Sequence, residues 1–183
     1  MILTDREIRA SLNNHQIIIE PRPKEKAFSS TSVDLTLHEN LRVFKTGIPG
    51  VQTSFNPAAE NYSARQLLEN ITEQRSIPTE GYTLEPSRLV LGWTQEEIAL
   101  KPLARVAARV EGKSGLARLG LAIHVTAPTI HAGFEGNIQL EIINLGPIPI
   151  VLSKGLPICQ IIFEQTLGMP ENAYGGQFKA QKA

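Results

Sequence analysis

Two segments of the chain carry residue types that could bind a phosphorylated ligand. The first is a basic, glycine-rich run over residues 111–120, in which Lys113, Ser114 and Arg118 can donate hydrogen bonds to anionic oxygens. Its glycines let the backbone approach a ligand closely. The second segment, residues 133–141, ends in the carboxylate of Glu141. A cationic loop followed closely in sequence by a carboxylate predicts a site for a phosphorylated ligand.

The core Gly112-Lys113-Ser114 also occurs in P-loops, which bind nucleoside triphosphates. That pattern requires a glycine five positions before Gly112, where this chain has Ala107, and a helix afterwards. Residues 121–126 instead alternate between apolar and polar side chains, as a strand does. We therefore expect the basic run to join two strands, with no helix dipole directed at phosphates. This context argues against a P-loop kinase or ATPase.

The segment that contains Glu141 also has a period of two. The even positions of residues 137–142 are apolar, whereas the odd positions are Asn137, Gln139 and Glu141. This pattern predicts a strand with an amide and a carboxylate side by side on one face. The alternative is the solvated outer face of a half-buried strand, since Glu is mostly exposed in proteins. The nearby basic run favours a functional interpretation.

Together with further motifs in the same order along the chain, these segments resemble the dCTP deaminase branch of the dUTPase-like superfamily. The further motifs are residues 1–8, 19–23, 32–37, 124–127 and 132–136. The resemblance covers nearly the whole chain. It implies a mostly β fold, a distorted antiparallel β-barrel or jelly roll of the dUTPase-like (β-clip) type with short peripheral helices. It also implies a homotrimer whose active sites are shared between subunits.

The residue pattern is consistent with that fold. Short alternating segments between glycine and proline residues favour an all-β architecture. Thr4 and Glu7 form a capping box that predicts a first helix ending near Asn13 and Asn14, and a second helix is predicted to begin at Ser63. The length of 183 residues suits a single domain over 1–183. The resemblance implies that 170–183 form a mobile C-terminal lid.

The resemblance also implies an activity, the hydrolytic deamination of dCTP to dUTP and ammonia in pyrimidine deoxynucleotide metabolism. Glu141 would act as the general acid and base during attack of water on C4 of cytosine. Ser114 and the backbone of Ala127 would position that water. Arg118 would order the site or bind phosphate across the subunit interface. On this interpretation the protein is a hydrolase acting on the cytosine amidine C–N bond.

The remaining ligand contacts follow from the same resemblance. Residues of the basic run match the triphosphate loop, residues of the Glu141 segment match the base-reading strand, and residues near the end of the chain match the lid. The full predicted substrate-binding set is Lys113, Ser114, Gly115, Leu116, Ala117, Arg118, Thr126, His131, Gln139, Leu140, Glu141, Tyr174, Gln177, Phe178 and Gln181. Alternatively, the segment from 175 onwards is a frayed polar terminus.

Three departures from the family pattern affect the predicted site, and two alternatives to the deaminase stay open. Gly115 stands where the family often has serine, His131 stands in place of a deoxyribose-contacting aspartate, and Gln177 stands where a lysine is common. Gly115 and Gln177 lower the number of groups that can bind phosphate, and His131 leaves the sugar specificity open. One alternative is a bifunctional dCTP deaminase and dUTPase that yields dUMP and diphosphate. The other is a nucleotide-binding regulator without turnover.

Composition bears on cofactors, partners and location. The chain has 18 basic and 18 acidic residues, so no broad surface for nucleic acid is expected. It has no long apolar run and no charged-then-apolar leader, so we expect a soluble, cytoplasmic protein without a membrane partner. Its single Cys159 is expected to be a buried strand residue, and the Cys set of zinc deaminases is missing. We expect no protein-held metal, with Mg²⁺ bound through the substrate triphosphate.

Overall fold

A computed structural model describes residues 1–45, 54–171 and 182–183 of the chain. The strands are β1 (Ile17–Glu20), β2 (Val33–Phe44), β3 (Thr72–Ser76), β4 (Tyr82–Leu84), β5 (Leu89–Leu100), β6 (Val106–Gly112), β7 (Leu121–Ala122), β8 (Glu135–Asn144), β9 (Ile150–Leu152) and β10 (Pro157–Gln165). The helices are α1 (Asp5–Asn13), α2 (Ala64–Ile71) and α3 (Ser114–Ala117), with a 3₁₀ turn at Glu25–Ala27.

One eight-stranded antiparallel sheet dominates the fold. Its main path runs β6-β10-β2-β5-β8-β7, while β1 pairs with β5 and β3 pairs with β2. A second, two-stranded sheet joins β4 and β9. The edge strand β6 also contacts the segment before β8, because Ala108 and Ile130 exchange backbone hydrogen bonds of 2.9 and 2.6 Å. The sheet is therefore nearly closed, and the predicted barrel with peripheral helices is confirmed.

Alternating apolar residues of the long strands fill the centre of this barrel. Leu35 and Leu37 of β2, Leu140 and Ile142 of β8, and Phe163 of β10 are all buried. Successive strand side chains point to opposite faces, so each of these strands places its other face outside the core. That second face is where β8 can present polar groups to a ligand.

Both predicted peripheral helices begin where their capping residues indicate. Thr4 precedes α1, but its hydroxyl caps no backbone N–H of the helix and instead donates a hydrogen bond to the carboxylate of Glu7. Ser63 precedes α2, and its hydroxyl accepts a hydrogen bond from the backbone N–H of Gln66 at 3.4 Å. In the part of the chain that the structure describes, no helix is both long and apolar enough to cross a bilayer.

The segment after the basic run differs from the prediction. Only Leu121–Ala122 of residues 121–126 form a strand, and the basic run itself contains the one-turn helix α3. Val125, expected on the buried face, is 59% exposed. Beyond Ala122 the chain leaves the ladder with β8, and the backbone N–H of Val125 donates a long hydrogen bond of 3.4 Å to the carboxylate of Glu141.

Asn137 also differs from its predicted placement on the open face of β8. It is buried, and its side-chain amide donates a hydrogen bond to the carbonyl oxygen of Thr94 at 3.0 Å. The reason is an irregularity in β5, whose pairing with β8 shifts between Trp93 and Glu97. The extra β5 residues at this bulge cover Asn137, which leaves Gln139 and Glu141 as the polar pair of this strand.

Candidate active site

A cavity of about 410 Å³ lies between β8 and the loop that precedes it. The loop supplies one wall and β8 supplies the other. The described residues that line it are Val125, Thr126, Ala127, Pro128, Thr129, Ile130, His131, Phe134, Ile138, Gln139 and Glu141. The structure thus brings together five residues that the sequence analysis placed in one site: Thr126, Ala127, His131, Gln139 and Glu141.

Strand β8 fixes the two polar side chains of the cavity. Gln139 lies opposite Trp93 and Glu141 opposite Leu91 in the ladder with β5, and both side chains are half-buried. Leu140 between them is only 1% exposed, because its side chain belongs to the core. A ligand contact from Leu140 is therefore restricted to its backbone. An amide and a carboxylate held on one strand can read the edge of a planar base.

The carboxylate of Glu141 is directed at the loop. Its Oε2 accepts the long 3.4 Å hydrogen bond from Val125, and among the described residues it forms no ion pair with lysine or arginine. A carboxylate at a cavity wall with spare acceptor capacity can take a proton from water and return it to a leaving group. This is the chemistry that the arrangement supports.

His124 shapes the loop, although the sequence analysis gave it no role. Its Nδ1 accepts a hydrogen bond from the backbone N–H of Ala127 at 3.3 Å. Because the backbone N–H of Ala127 already donates to His124, a water molecule bound by the Ala127 backbone would be bound by its carbonyl oxygen. The only sequence signal for His124 was its position in the motif 124–127, because the bond depends on a turn that alternation did not predict.

His131 stands at the boundary between two cavities. It lines the cavity of Glu141 and a neighbouring cavity of about 530 Å³, whose other described lining residues are Ala107, Ala132, Thr166, Gly168, Met169 and Pro170. A tight turn holds this position, because the backbone N–H of Phe134 donates to the carbonyl of His131 at 3.1 Å. His131 can therefore contact a ligand that extends out of the first cavity.

The basic run lies apart from this cavity within one chain. Its residues are not among the described residues that line it. Lys113 precedes α3 and forms an ion pair with Asp34, while Ser114, Gly115, Ala117 and Arg118 are exposed. Leu116 is half-buried and packs against the core. A single chain thus holds the two halves of the predicted site at separate places.

The predicted lid residues Tyr174, Gln177, Phe178 and Gln181 lie outside the described residues, and the single-domain and lid boundaries stay predictions. The two residues that follow them are described. Lys182 forms an ion pair with Glu97, and the backbone N–H of Ala183 donates to Asn137 Oδ1 at 3.3 Å. Residues 182 and 183 therefore contact β5 and the start of β8, the strand that carries Gln139 and Glu141.

Metal-ligand residues do not cluster in the described ranges 1–45, 54–171 and 182–183. No group of three or more His, Cys, Asp or Glu side chains there could hold a metal ion. Cys159 lies in β10 and is buried, as predicted. Burial raises the pKa of the Cys159 thiol well above its ordinary value, so the group stays a neutral, unreactive thiol.

Comparison with known proteins gives one consistent family. A family model described as dCTP deaminase-like matches residues 2–166. A protein of Methanosphaera stadtmanae named "dCTP deaminase, dUMP-forming" is 35% identical over 181 residues, covering 99% of this chain and 87% of the relative. A "dCTP deaminase" of Marinomonas sp. is 36% identical over 183 residues, covering 99% of this chain and 92% of the relative.

A solved structure agrees with these relatives. The 2′-deoxycytidine 5′-triphosphate deaminase from Agrobacterium tumefaciens aligns with a TM-score of 0.66 at 25% identity. The alignment covers 90% of this chain but 48% of that one, so this chain spans about half the length of the solved structure.

Proposed function

The chain belongs to the dCTP deaminase-like family, and from that premise we propose that it hydrolyses dCTP to dUTP and ammonia. The observation that carries this proposal is the cavity in which Glu141 and Gln139 of β8 face the loop 125–131. The Marinomonas and Methanosphaera relatives, both named as dCTP deaminases, support the choice of substrate.

In the proposed reaction, Glu141 moves the protons. Its carboxylate takes a proton from a water molecule as that water attacks C4 of cytosine, forming a tetrahedral carbon. The same group passes that proton to ring N3, then takes a second proton from the new C4 hydroxyl and delivers it to the amino nitrogen. The bond from C4 to the amino nitrogen then breaks, ammonia leaves and C4 becomes a carbonyl carbon. Gln139, two residues away on the same face, is placed to hydrogen-bond the base edge.

The water and the phosphates require groups beyond Glu141. We assign the attacking water to the carbonyl oxygen of Ala127 and the hydroxyl of Ser114, and the triphosphate to Lys113 and Arg118 together with the backbone of α3. Because the basic run lies outside the cavity of its own chain, these groups would reach the cavity of a neighbouring subunit in a homotrimer. The exposed side chains of Ser114 and Arg118 suit such a contact.

Magnesium enters the proposal as part of the substrate. Mg²⁺ keeps several of its waters and binds phosphate oxygens readily, so it would arrive on the triphosphate. Zinc has no step in this mechanism, because the carboxylate of Glu141 carries out both proton transfers.

A bifunctional enzyme that also converts dUTP to dUMP and diphosphate is the second candidate. The observation that favours it is the 35% identity over nearly the full chain with the Methanosphaera relative, which is named as dUMP-forming. A regulator that binds nucleotide without turnover is the third candidate, and it is motivated by Gly115, His131 and Gln177.

Product analysis distinguishes these candidates. The purified protein is incubated with Mg²⁺ and, separately, with dCTP, CTP and dUTP, and the products are resolved by anion-exchange chromatography. Formation of dUTP from dCTP supports the deaminase, and formation of dUMP with diphosphate supports the bifunctional enzyme. Nucleotide binding without any product would favour the regulator.

The role of Glu141 has its own test. We expect Glu141→Gln to bind dCTP with unchanged affinity but to release ammonia at least about 10³-fold more slowly, because the amide cannot exchange the proton. Glu135→Gln, an exposed change on the same strand, is the matched control and should retain activity. Turnover by the Glu141→Gln variant at the wild-type rate would remove Glu141 from the mechanism.

A further inference from the structure

The motif of residues 32–37 has no role in the mechanism above, yet the structure joins its first part, residues 32–34, to the basic run. Asp34 on β2 forms an ion pair with Lys113, 79 residues later in the sequence. Neither side chain is fully solvated, since Asp34 is 21% exposed and Lys113 is 31% exposed. The predicted phosphate ligand Lys113 is therefore attached to a fixed partner within its own chain.

The sheet register explains how the two side chains meet. Asp34 lies opposite Gln160 of β10, and Gln160 lies opposite Glu111 of β6. Lys113 follows Glu111 by two residues, so it continues on the same face of the sheet. Strands two positions apart in a sheet are separated by about 10 Å, a span that the long lysine side chain crosses above Gln160.

The side chain of Gln160 adds a second connection across β10. The hydroxyl of Ser32 donates to Gln160 Oε1 at 2.8 Å, and Gln160 Nε2 donates to the carbonyl oxygen of Gly112 at 3.4 Å. Gly112 is the residue directly before Lys113. Residues 32–34 thus contact the start of the basic run twice, once through a side-chain amide and once through an ion pair.

The neighbouring carboxylate does not compete for Lys113. Glu96 is 7% exposed and accepts two hydrogen bonds from Thr36, one from the backbone N–H and one from the hydroxyl, each of 2.8 Å. Each of its oxygens accepts from Thr36, and among the described residues Glu96 forms no ion pair with a lysine or arginine. Asp34 remains the partner that sets the position of the ammonium group.

We propose that Asp34 is a positioning residue for the nucleotide triphosphate, because it holds the Lys113 ammonium at one place beside α3. An ammonium group has three donors, so one can bond Asp34 while the others bond phosphate oxygens. A free lysine side chain loses much rotamer entropy when a ligand immobilises it, and a side chain already held loses less. This inference rests on the proposed function in that Lys113 is taken as a phosphate ligand.

A double-mutant cycle tests the inference. Dissociation constants for dCTP are measured by calorimetry in the presence of Mg²⁺ for four proteins that all carry Glu141→Gln, so that dCTP is not turned over: the parent, Asp34→Ala, Lys113→Ala and the double variant. We expect Asp34→Ala to weaken dCTP binding by about tenfold, the usual scale for a charge-assisted contact. In the Lys113→Ala background the same change should alter the dissociation constant by less than about twofold, because Asp34 acts through Lys113.

A purely structural role of Asp34 would give a different result, since the loss would persist in the Lys113→Ala background. Three results would each overturn the inference. They are a loss that persists in the Lys113→Ala background, an unchanged or tighter dCTP affinity in Asp34→Ala, and the parent's affinity in Lys113→Ala. Glu39→Ala is the matched control, because it breaks another carboxylate–lysine pair on β2, with Lys154, and should leave the affinity unchanged.

If Asp34→Ala does not fold, Asp34→Asn serves in the same cycle, because it keeps the shape and one acceptor oxygen while removing the charge. It should weaken dCTP binding by a smaller factor, about threefold, and this loss too should disappear in the Lys113→Ala background. Ammonia release by the wild type is recorded in parallel. If the effects of the two substitutions are coupled but the wild type releases no ammonia, only the proposed function is contradicted. If ammonia is released but the effects are not coupled, only this inference is contradicted.

Discussion

Glu141 and His131 reach the same cavity from different supports, a ladder-paired strand and a tight turn. Side chains of a strand alternate between its two faces, so the face on which Glu141 lies was predictable from sequence. The turn at His131 has no such alternation. Its place in the cavity entered the sequence analysis only through the family resemblance, and its contribution to sugar recognition stays a prediction.

We predict that His131→Asp raises the discrimination for dCTP over CTP. A carboxylate at this position can accept a hydrogen bond from a sugar hydroxyl more strongly than imidazole does, and this fixes the sugar against the site. The expected change in the ratio of kcat/KM values is about fivefold to tenfold.

Steady-state kinetics with each nucleotide provide the measurement for His131→Asp. His15→Asp, in the exposed turn after α1, introduces the same charge away from the cavity and should leave the ratio unaltered. An unchanged ratio in His131→Asp would exclude this residue from sugar recognition.

The ion pair of Asp34 with Lys113 could not have been predicted from either motif alone. The two residues are 79 positions apart, and only the pairing of β10 with both β2 and β6 brings them together. Sequence pattern reports local conformation and the face on which a side chain lies. It does not report which strands become neighbours, so long-range pairs of this kind require the structure.

At the scale of elements, the sequence correctly predicted those helices and strands whose positions depend on residues close together in the chain. The capping residues placed α1 and α2, and alternation placed β8, because these signals act within a few residues. The strand that alternation predicted is absent over residues 123–126, where the backbone N–H of Val125 donates a hydrogen bond to the carboxylate of Glu141. Alternation also missed α3, whose position depends on tertiary anchors at both ends of the basic run.

The anchor at the far end of the basic run is a close backbone approach. Gly120 has φ of +95°, and a Cβ atom there would lie 2.2 Å from the backbone nitrogen of Gly146. The carbonyl of Gly120 accepts a hydrogen bond from Leu145 at 2.8 Å. With Lys113 held by Asp34, α3 is thus attached to β2 before its first residue and to the end of β8 after its last.

We predict that Gly120→Ala lowers the free energy of unfolding by roughly 2–4 kcal/mol, since it combines an unfavourable φ with a backbone clash. Urea unfolding followed by tryptophan fluorescence at fixed protein concentration provides the measurement. Gly168→Ala is the control, because a Cβ there meets no atom within 4 Å. Equal stability of the two variants would show that the contact between Gly120 and Gly146 is not a significant anchor.

At the scale of the whole molecule, the two halves of the proposed site belong to different surfaces of one chain. The cavity lies between β8 and the loop 125–131, whereas the basic run follows edge strand β6. The proposed homotrimer accounts for this separation, because a neighbouring subunit could supply the second half. The residue pattern indicated both halves, and only the family resemblance implied that they meet across a subunit interface.

We predict that subunits carrying Arg118→Ala and subunits carrying Glu141→Gln complement each other. Each variant alone should be inactive, but in a mixed trimer some sites combine an intact Arg118 with an intact Glu141. Every trimer that contains both variants has one intact site of three, so isolated mixed trimers should show about one third of wild-type activity.

Co-expression with two different affinity tags isolates these mixed oligomers, and ammonia release measures their activity. Mixing either variant with the double variant Arg118→Ala/Glu141→Gln provides the control, because no site then regains both residues. Absence of recovery in verified mixed oligomers would contradict a site shared between subunits.

The place of β10 in the sheet has a consequence for how the protein is made. A ribosome releases β2 and β6 well before β10, the strand that must insert between them. Until then both strands expose unpaired backbone edges, which are prone to pair with other chains. Asp34 and Lys113 also come together only across Gln160 of β10. The nascent chain therefore joins β6 to the other strands and brings Asp34 beside Lys113 in one late step, and a translation product that stops before residue 157 lacks both connections.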